Sequence, residues 1–392
     1  MALLLVSVPS VYAEEQPHVV GEFAVSMDAK TGDVLYDKEA YHRAYPASIT
    51  KVLTAILLME NTKPGDRITF SQKALDQEKS NYQVDFHVGD SVDRDTALTI
   101  MMVLSANDMA YAIAEHVSGS AENFSNLMNE KAKELGAKDS HFVTPNGLHD
   151  PNHYTTPYDM ALIMREASKY PEIMKAMDTK RTTITTSRQT ISILNKAKFF
   201  DNPNVIAGKT GFTNEAHNTL IQVNEKDGNR IINVVMSSHN PAEYEDVKAM
   251  ADYAFPLLEK QQVLDKNDWT QNAVFLGQPV PVELERGSDL TLKKGEGKQV
   301  QAVFHPLQID NETLYDHGIV KGQRIGQVDL VKNGQVLDSI PAFAKDSVTF
   351  QRPSGETMLQ DGTLPIGLGI LFILLISSVS VMLKKRKQNI SA

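Results

Sequence analysis

Apolar residues along the first 260 positions follow helical spacing in the middle of the stretch and strand spacing towards its two ends. Ile49, Val52, Leu53, Ile56 and Leu57 follow the i, i+3, i+4, i+7 pattern of one helix face, and Ala55, Leu58 and Met59 leave little of the opposite face polar. Residues 47–60 therefore read as a core helix, closed by Asn61 and Pro64-Gly65. A second apolar segment, Thr96 to His116, carries Leu98, Met101, Met102, Leu104, Met109 and Ile113 at mostly helical spacing. It is interrupted at Leu104-Ser105-Ala106-Asn107-Asp108, where short polar side chains compete for backbone hydrogen bonds. Glu122–Leu135 and Pro157–Lys169 read as further helices.

Glu22–Met27 and Asp33–Tyr36 read as strands joined by a turn at Lys30-Thr31-Gly32. After Pro203 the strand pattern returns, in Val205–Phe212, Thr219–Asn224 and Arg230–Ser237, the last two forming a hairpin about Lys226-Asp227-Gly228-Asn229. Pro241–Leu258 then reads as a helix with Tyr244, Val247, Ala251, Ala254 and Leu258 facing inward. Strands at both ends with helices between them predict one sheet, built from distant parts of the sequence and carrying an inserted helical region. From about Gln262 to Gln351 no helical pattern survives. Strands are expected around Val280-Val282-Leu284 and Val300–Val303, with a hairpin at Lys332-Asn333-Gly334-Gln335. The predicted division is 14–261 for an α/β (α+β) domain and 262–355 for a small all-β domain.

The ends of the chain differ from its body. Met1–Ala13 joins an apolar run to Val11-Tyr12-Ala13 ahead of Glu14-Glu15 and resembles a signal peptide, although no Lys or Arg precedes Lys30 to supply its basic start. Residues 362–383 form 22 consecutive positions without a charge, followed by Lys384-Lys385-Arg386-Lys387. As a helix they would span roughly 33 Å, enough for a bilayer core, with the basic cluster and the tail 384–392 left cytoplasmic. The expectation is a cell-membrane protein with a single C-terminal anchor and its catalytic domain outside the cell. Without the four basic charges the formal net charge falls from −10 to −14, which disfavours nucleic acid as a partner. With 392 residues, 42% of them hydrophobic, the chain is long enough for two domains, and the lack of cysteine excludes disulfides and thiolate chemistry.

Lys51 stands one turn into the most apolar helix of the body. Lost hydration disfavours its charged form and favours action as a base. Ser48, three residues earlier, shares its face and sits at the helix start, where its own N–H is free for an oxyanion. Elsewhere S-x-x-K more often marks a capping serine and a solvated lysine, but here the pair occurs once and in an apolar helix. In Lys209-Thr210-Gly211-Phe212-Thr213, strand alternation sends Lys209 and Gly211 to one face and Thr210 and Phe212 to the other. Gly211 would let a substrate backbone approach, Lys209 would attract an anionic end group, and the hydroxyls of Thr210 and Thr213 could bond it. Alone the tripeptide says little, since Lys30-Thr31-Gly32 repeats it at a turn and Ser238-His239-Asn240 repeats the form of Ser105-Ala106-Asn107.

Taken in order, Ser48-Ile49-Thr50-Lys51, Ser105-Ala106-Asn107 and Lys209-Thr210-Gly211 resemble the three motifs of the penicillin-binding protein and serine β-lactamase superfamily. The chain is most similar to the low-molecular-mass D-alanyl-D-alanine carboxypeptidases, which share the early strand pair, a segment like Pro145-Asn146-Gly147-Leu148 and the order of signal, catalytic domain, β domain and anchor. The resemblance implies a β-lactamase/transpeptidase-like domain with an antiparallel sheet and a helical cluster. It implies that Ser48 attacks the carbonyl between two D-alanines at the end of a peptidoglycan stem peptide, with Lys51 taking its proton. By the same resemblance Ser105 and Asn107 relay a proton to the leaving D-alanine and hold the substrate. Lys209 and Thr210 bind its carboxylate, and the N–H groups of Ser48 and Phe212 form an oxyanion hole. β-Lactam antibiotics are the implied inhibitors, and no metal or cofactor is implied. Two cationic lysines in one cleft are expected to depress each other's pKa.

Three features depart from the family. Phe212 stands where relatives often carry His, Thr or Ser, the tail is more uniformly apolar than the usual amphipathic anchor, and Asn195 and Asn202 only loosely match an Asn-rich stretch before the third motif. A transpeptidase uses the same motifs with an amine acceptor, a β-lactamase would need a Glu-x-x-Leu-Asn element that is absent, and a non-catalytic wall-binding protein would not need every motif residue. No G-x-S-x-G occurs among candidates for a Ser-His-Asp hydrolase. His149 and His153 have the spacing of a zinc pair, but Pro151 lies between them and they read as loop histidines, while Asn146-Gly147 reads as a turn before a substrate contact.

Overall fold

In the computed structural model, which describes residues 16–353, the strands from both ends of the first 240 positions meet in one sheet. Strands β1 (Phe23–Asp28) and β2 (Val34–Lys38) form the first hairpin, and a 3-10 turn at Ala47–Thr50 runs directly into α1 (Lys51–Asn61). The pair β3 (Arg67–Thr69) and β4 (Ser91–Asp93) flanks α2 (Gln72–Leu75). The helical region continues through α3 (Arg94–Leu104), α4 (Asn107–Ser118), α5 (Ala121–Glu134), α6 (Pro157–Ala167) and α7 (Pro171–Met177). A hairpin of β5 (Arg181–Thr185) and β6 (Thr190–Leu194) precedes β7 (Val205–Thr213), β8 (His217–Lys226), β9 (Asn229–Ser238) and α8 (Ala242–Ala254). Beyond these come β10 (Leu258–Leu264), β11 (Asn272–Phe275), β12 (Gln278–Leu284), β13 (Ser288–Lys293), β14 (Gln301–Pro306), α9 (Asn311–His317), β15 (Arg324–Lys332) and β16 (Gln335–Ala344).

The main sheet runs β2-β1-β9-β8-β7 and is antiparallel throughout. Strand alternation splits its side chains between two cores. Val25, Met27, Ile221, Val223, Ile232 and Val234 face the large core made by α1 and the helices around it, whereas Ala24, Leu220 and Val235 face Val247 and Met250 of α8. Being covered on both faces explains why residues 219–224 of β8 and 231–236 of β9 are buried without a break. Helix α1 is buried from Lys51 to Leu58 and sits at the centre of the large core. Local signals fix the helix starts: the Asp93 side chain accepts the Thr96 N–H at 2.9 Å, and that of Thr156 accepts the Asp159 N–H at 3.0 Å with Pro157 as the first helical residue.

The chain divides into two compact units. The first comprises the described residues up to 265 together with 287–303 and 329–339; the second comprises 266–286, 304–328 and the described residues from 340 onward. Within the first, β10 pairs with β13, and fully buried Lys332 donates to the carboxylates of Asp33 and Glu296. Within the second, β11 pairs with β12, and β12 with the end of β16. The structure corrects the expectation that residues 262–351 hold no helix. Asp310 caps the N-terminus of α9 by accepting the Thr313 N–H at 2.9 Å, but with only Leu314 buried the seven-residue helix is too short to print an apolar period on the sequence. The expected signal segment 1–13, span 362–383 and tail 384–392 lie outside the described residues, among which no helix is long and apolar enough to cross a membrane.

Asp246 on α8 ties the start of the chain to the sheet. Its carboxylate accepts the N–H groups of Val20 and Gly21 at 2.6 and 2.9 Å and the Ser238 hydroxyl at 2.9 Å. Asp246→Ala should cost about 2 to 3 kcal/mol of stability, since it leaves buried donors without their charged acceptor. Urea unfolding should read that loss, and limited proteolysis should show residues 16–21 newly cleavable.

Candidate active site

The site is built where the first turn of α1 meets strand β7. Ala47 enters that turn with φ of +50°, a left-handed conformation unusual for alanine, and the loop after α5 holds it there. Gly147 makes this possible, because a Cβ at its position would lie 1.9 Å from the Ala47 carbonyl oxygen. Thr54 Oγ1 donates to Pro145 O at 2.6 Å, binding the same loop one turn further along α1.

Ser48 is half-buried and Lys51 fully buried, with Ser48 Oγ 2.8 Å from Lys51 Nζ. Lys51 Nζ also lies 2.7 Å from Asn107 Oδ1 and 2.6 Å from Asn146 O. Neither of those groups can donate: one is a backbone carbonyl, and the Asn107 amide is oriented by its Nδ2 donating to Glu78 O at 2.9 Å. Burial holds Lys51 well below the ordinary lysine range, aided by repulsion from Lys209 and opposed by Asp108. A neutral amine has two N–H bonds and one lone pair. With both N–H bonds taken by carbonyl oxygens, the lone pair faces the Ser48 hydroxyl, the arrangement required for removing its proton.

Ser105 occupies the break between α3 and α4 with φ of +56°, as the interrupted pattern suggested. Ser80 locks the break by donating to Ser105 O and accepting the Asn107 N–H, both at 2.9 Å. From the other side, Lys209 Nζ donates to Ser105 Oγ at 2.8 Å and to Thr210 O at 2.6 Å. Burial pushes the Lys209 pKa down to about 7. The expected mutual depression of the two lysines is therefore the smaller effect: loss of hydration leads at Lys51 and is the cause at Lys209.

Along β7, Lys209 and Gly211 are buried, Thr210 is half-buried and Phe212 is exposed, in line with the predicted alternation. The space at Gly211 is used by the protein itself. A Cβ there would lie 2.4 Å from Thr219 Oγ1 and 2.7 Å from Ser48 N, and Thr219 Oγ1 in turn donates to Pro46 O at 2.9 Å. Thr213 ends the strand, its hydroxyl accepting the Ala216 N–H at 3.0 Å. A cleft of about 300 Å³ opens beside Ser105, Lys209 and Thr210, walled by Tyr82, Phe199 and Tyr244.

Ser80 thus joins the hydrogen-bonded set Ser48, Lys51 and Asn107 to the pair Ser105 and Lys209, with Gly211 against the Ser48 end. Asn146 O, Glu78 O and Ser80 were not identified from the sequence. Two of the three act through backbone oxygens, which leave no side-chain signature; the signal at hand was Gly147, whose turn aims the Asn146 carbonyl inward. His149 stacks edge-on with Tyr45 at 4.7 Å, His153 is buried, and among the described residues no cluster of three or more His, Asp or Glu is placed to hold a metal ion.

Residues 10–240 match the model of a family described as D-alanyl-D-alanine carboxypeptidase, and residues 258–349 match that of the penicillin-binding protein 5 C-terminal domain. The D-alanyl-D-alanine carboxypeptidase DacF of Bacillus subtilis is 31% identical over 373 residues, covering 88% of this chain and 92% of that protein. Among solved structures, penicillin-binding protein 5 of Haemophilus influenzae aligns with a TM-score of 0.62 at 25% identity, over 86% of this chain and 100% of that one. A Streptomyces K15 DD-transpeptidase variant aligns with a TM-score of 0.59 at 26% identity, over 62% and 100%.

Because Lys209 titrates at about 7 in the folded protein and near 10.5 when exposed, the unfolded chain binds the extra proton between those values. Stability should therefore rise with pH across that window. Between pH 7 and 9 wild type should gain about 2 kcal/mol more than Lys209→Met, which has no proton to lose there; urea titrations at the two pH values measure it.

Proposed function

The chain belongs to the D-alanyl-D-alanine carboxypeptidase family of β-lactam-sensitive serine peptidases and is an enzyme of that kind; we propose that Ser48 is its nucleophile and Lys51 the base that activates it. The observation that carries this assignment is the contact between Ser48 Oγ and Lys51 Nζ, whose two N–H bonds are spoken for by Asn107 and Asn146.

The substrate is a peptidoglycan stem peptide ending in D-Ala-D-Ala, with its terminal carboxylate held by Lys209 and Thr210. Ser48 Oγ bonds to the carbonyl carbon of the penultimate residue as its proton passes to Lys51 Nζ. The negative charge that develops on the carbonyl oxygen is held by the N–H groups of Ser48 and Phe212. When the C–N bond breaks, the leaving nitrogen takes a proton from the Ser105 hydroxyl, which is replenished from Lys51, and free D-alanine departs. Water, deprotonated by Lys51, then attacks the acyl carbon; the ester C–O bond breaks, and Lys51 returns the proton to Ser48 Oγ. Asn107 keeps Lys51 oriented through the cycle and bonds the substrate backbone. A β-lactam enters by the first of these steps. With an amine in place of water the same acyl-enzyme would give transpeptidation, the activity named for the Streptomyces relative; product analysis with and without a D-amino acid acceptor separates the two.

We further propose that residues 362–383 anchor the enzyme as a single membrane helix with the catalytic unit outside the cell. The support is the uncharged run itself and the basic cluster that follows it.

Ser48→Ala should abolish both covalent labelling by a fluorescent penicillin and D-alanine release from a stem pentapeptide. Lys51→Ala should slow acylation by about a thousandfold while the protein stays folded. Retention of D-alanine release in Ser48→Ala would overturn the assignment. A chain ended at residue 361 should move from the membrane fraction to the soluble one with its activity intact, and its retention in the membrane would refute the anchor.

A further inference from the structure

His153 takes no part in the reaction just described, yet it lies directly beneath the motif that carries it. Its ring is almost wholly buried, 2% exposed, and packs edge-on against Phe142 at 5.5 Å. The Nδ1 atom is 3.0 Å from the Val143 backbone N and 3.1 Å from that of Thr144. Both of those groups can only donate, so Nδ1 carries no proton and the ring hydrogen is on Nε2. That hydrogen points at Thr50 Oγ1, 2.9 Å away. Thr50 is itself fully buried and stands between the serine and the lysine of the first motif.

The neutral ring is the only form that fits. Protonation would put an N–H against two backbone N–H groups, and burial holds the pKa down at about 3, far below any pH at which the enzyme would be assayed. Neutral histidine thus offers an acceptor at one end and a donor at the other across a rigid ring, linking the loop at residues 143–147 to the turn at 48–51. The same loop supplies Asn146 O to Lys51, and Gly147 is close enough that a Cβ there would lie 2.9 Å from Thr50 Oγ1.

We infer that His153 is a positioning residue for acylation: by donating to Thr50 Oγ1 it fixes the first turn of α1 against the 143–147 loop, and with it the approach of Ser48 to Lys51. The inference rests on the assignment of Ser48 and Lys51 as nucleophile and base. It accounts for a buried histidine that a metal or catalytic role does not. The charged and titratable groups facing the two residues are few: Lys209 from β7 and Asp108 from α4 about Lys51, and Asp150, His141, His149 and Lys51 about His153.

The test uses the full chain carrying Thr50→Val, which keeps the side-chain shape and removes the acceptor, beside His153→Gln, whose amide offers both an acceptor and a donor, and His153→Phe, which offers neither. The acylation rate by a fluorescent penicillin is measured per titratable Ser48, together with the pH profile of kcat/KM and the melting temperature. Thr50→Val should acylate roughly tenfold or more slowly per active site, because a displacement of the reacting pair by a fraction of an ångström is costly. Its acidic limb should move to higher pH, since a looser turn readmits water to Lys51 and favours its charged form. His153→Gln should recover most of the rate, and His153→Phe should not. A purely structural histidine would lower the melting temperature or the number of active sites but leave the rate per site and the limb unchanged; that result in Thr50→Val overturns the inference even if His153→Phe does not fold. Failure of wild type to acylate at Ser48 would instead refute the underlying assignment.

Discussion

The desolvation of one amine governs this site. Placing a lysine in an apolar helix costs free energy in its charged form, and burial therefore holds the Lys51 pKa well down and favours loss of the proton. What makes this useful is that the released lone pair has one place to point. Asn107 and Asn146 present oxygens, not donors, to the Lys51 nitrogen, and each is fixed from behind, the first by Glu78 O and the second by the turn at Gly147. The serine receives the remaining valence of the nitrogen. Burial alone would make a base; the two carbonyls make it a directed one.

The architecture around that nitrogen brings three distant stretches of chain to within hydrogen-bonding distance of one another. The helical cluster supplies the buried start of α1 and the kinked junction at Ser105, while the sheet contributes β7 as its last strand, with Lys209 reaching back to the junction. Close approach is set by small residues where a side chain would intrude. At Gly211 the absent Cβ admits the serine's own backbone nitrogen and the Thr219 hydroxyl. The sequence reading reserved that space for substrate, so the glycine serves assembly of the site before it serves binding.

Much of this was readable from one sequence because the signals were local and repeated. The period of Ile49, Val52, Leu53 and Ile56 is that of a buried helix, and the polar break at 104–108 coincides with a real change of direction. The early hairpin and the late strands showed themselves by alternation and turn residues. What stayed hidden was of two kinds. Short elements such as α9 and the threonine-rich hairpin of β5 and β6 carry too few buried positions to produce a period. Contacts made by backbone atoms, those of Asn146 O and Glu78 O above all, depend on where the chain goes and leave nothing in residue identity. The role of burial over mutual repulsion at the two lysines is likewise a property of packing that spacing does not encode.

The position of β7 at the end of its sheet has a consequence for which bond is cut. Gly211, against the Ser48 turn, and Lys209 are two residues apart on one face, about 7 Å along a strand. On the proposed reading that interval accommodates a scissile carbonyl, one further residue and the hydrogen bond to its carboxylate, whereas a second residue beyond the cut would overshoot the lysine. Selectivity for the final linkage of a chain would then be a matter of gauge: the enzyme measures from an end, and the identity of the side chains it passes over counts for less than how many there are.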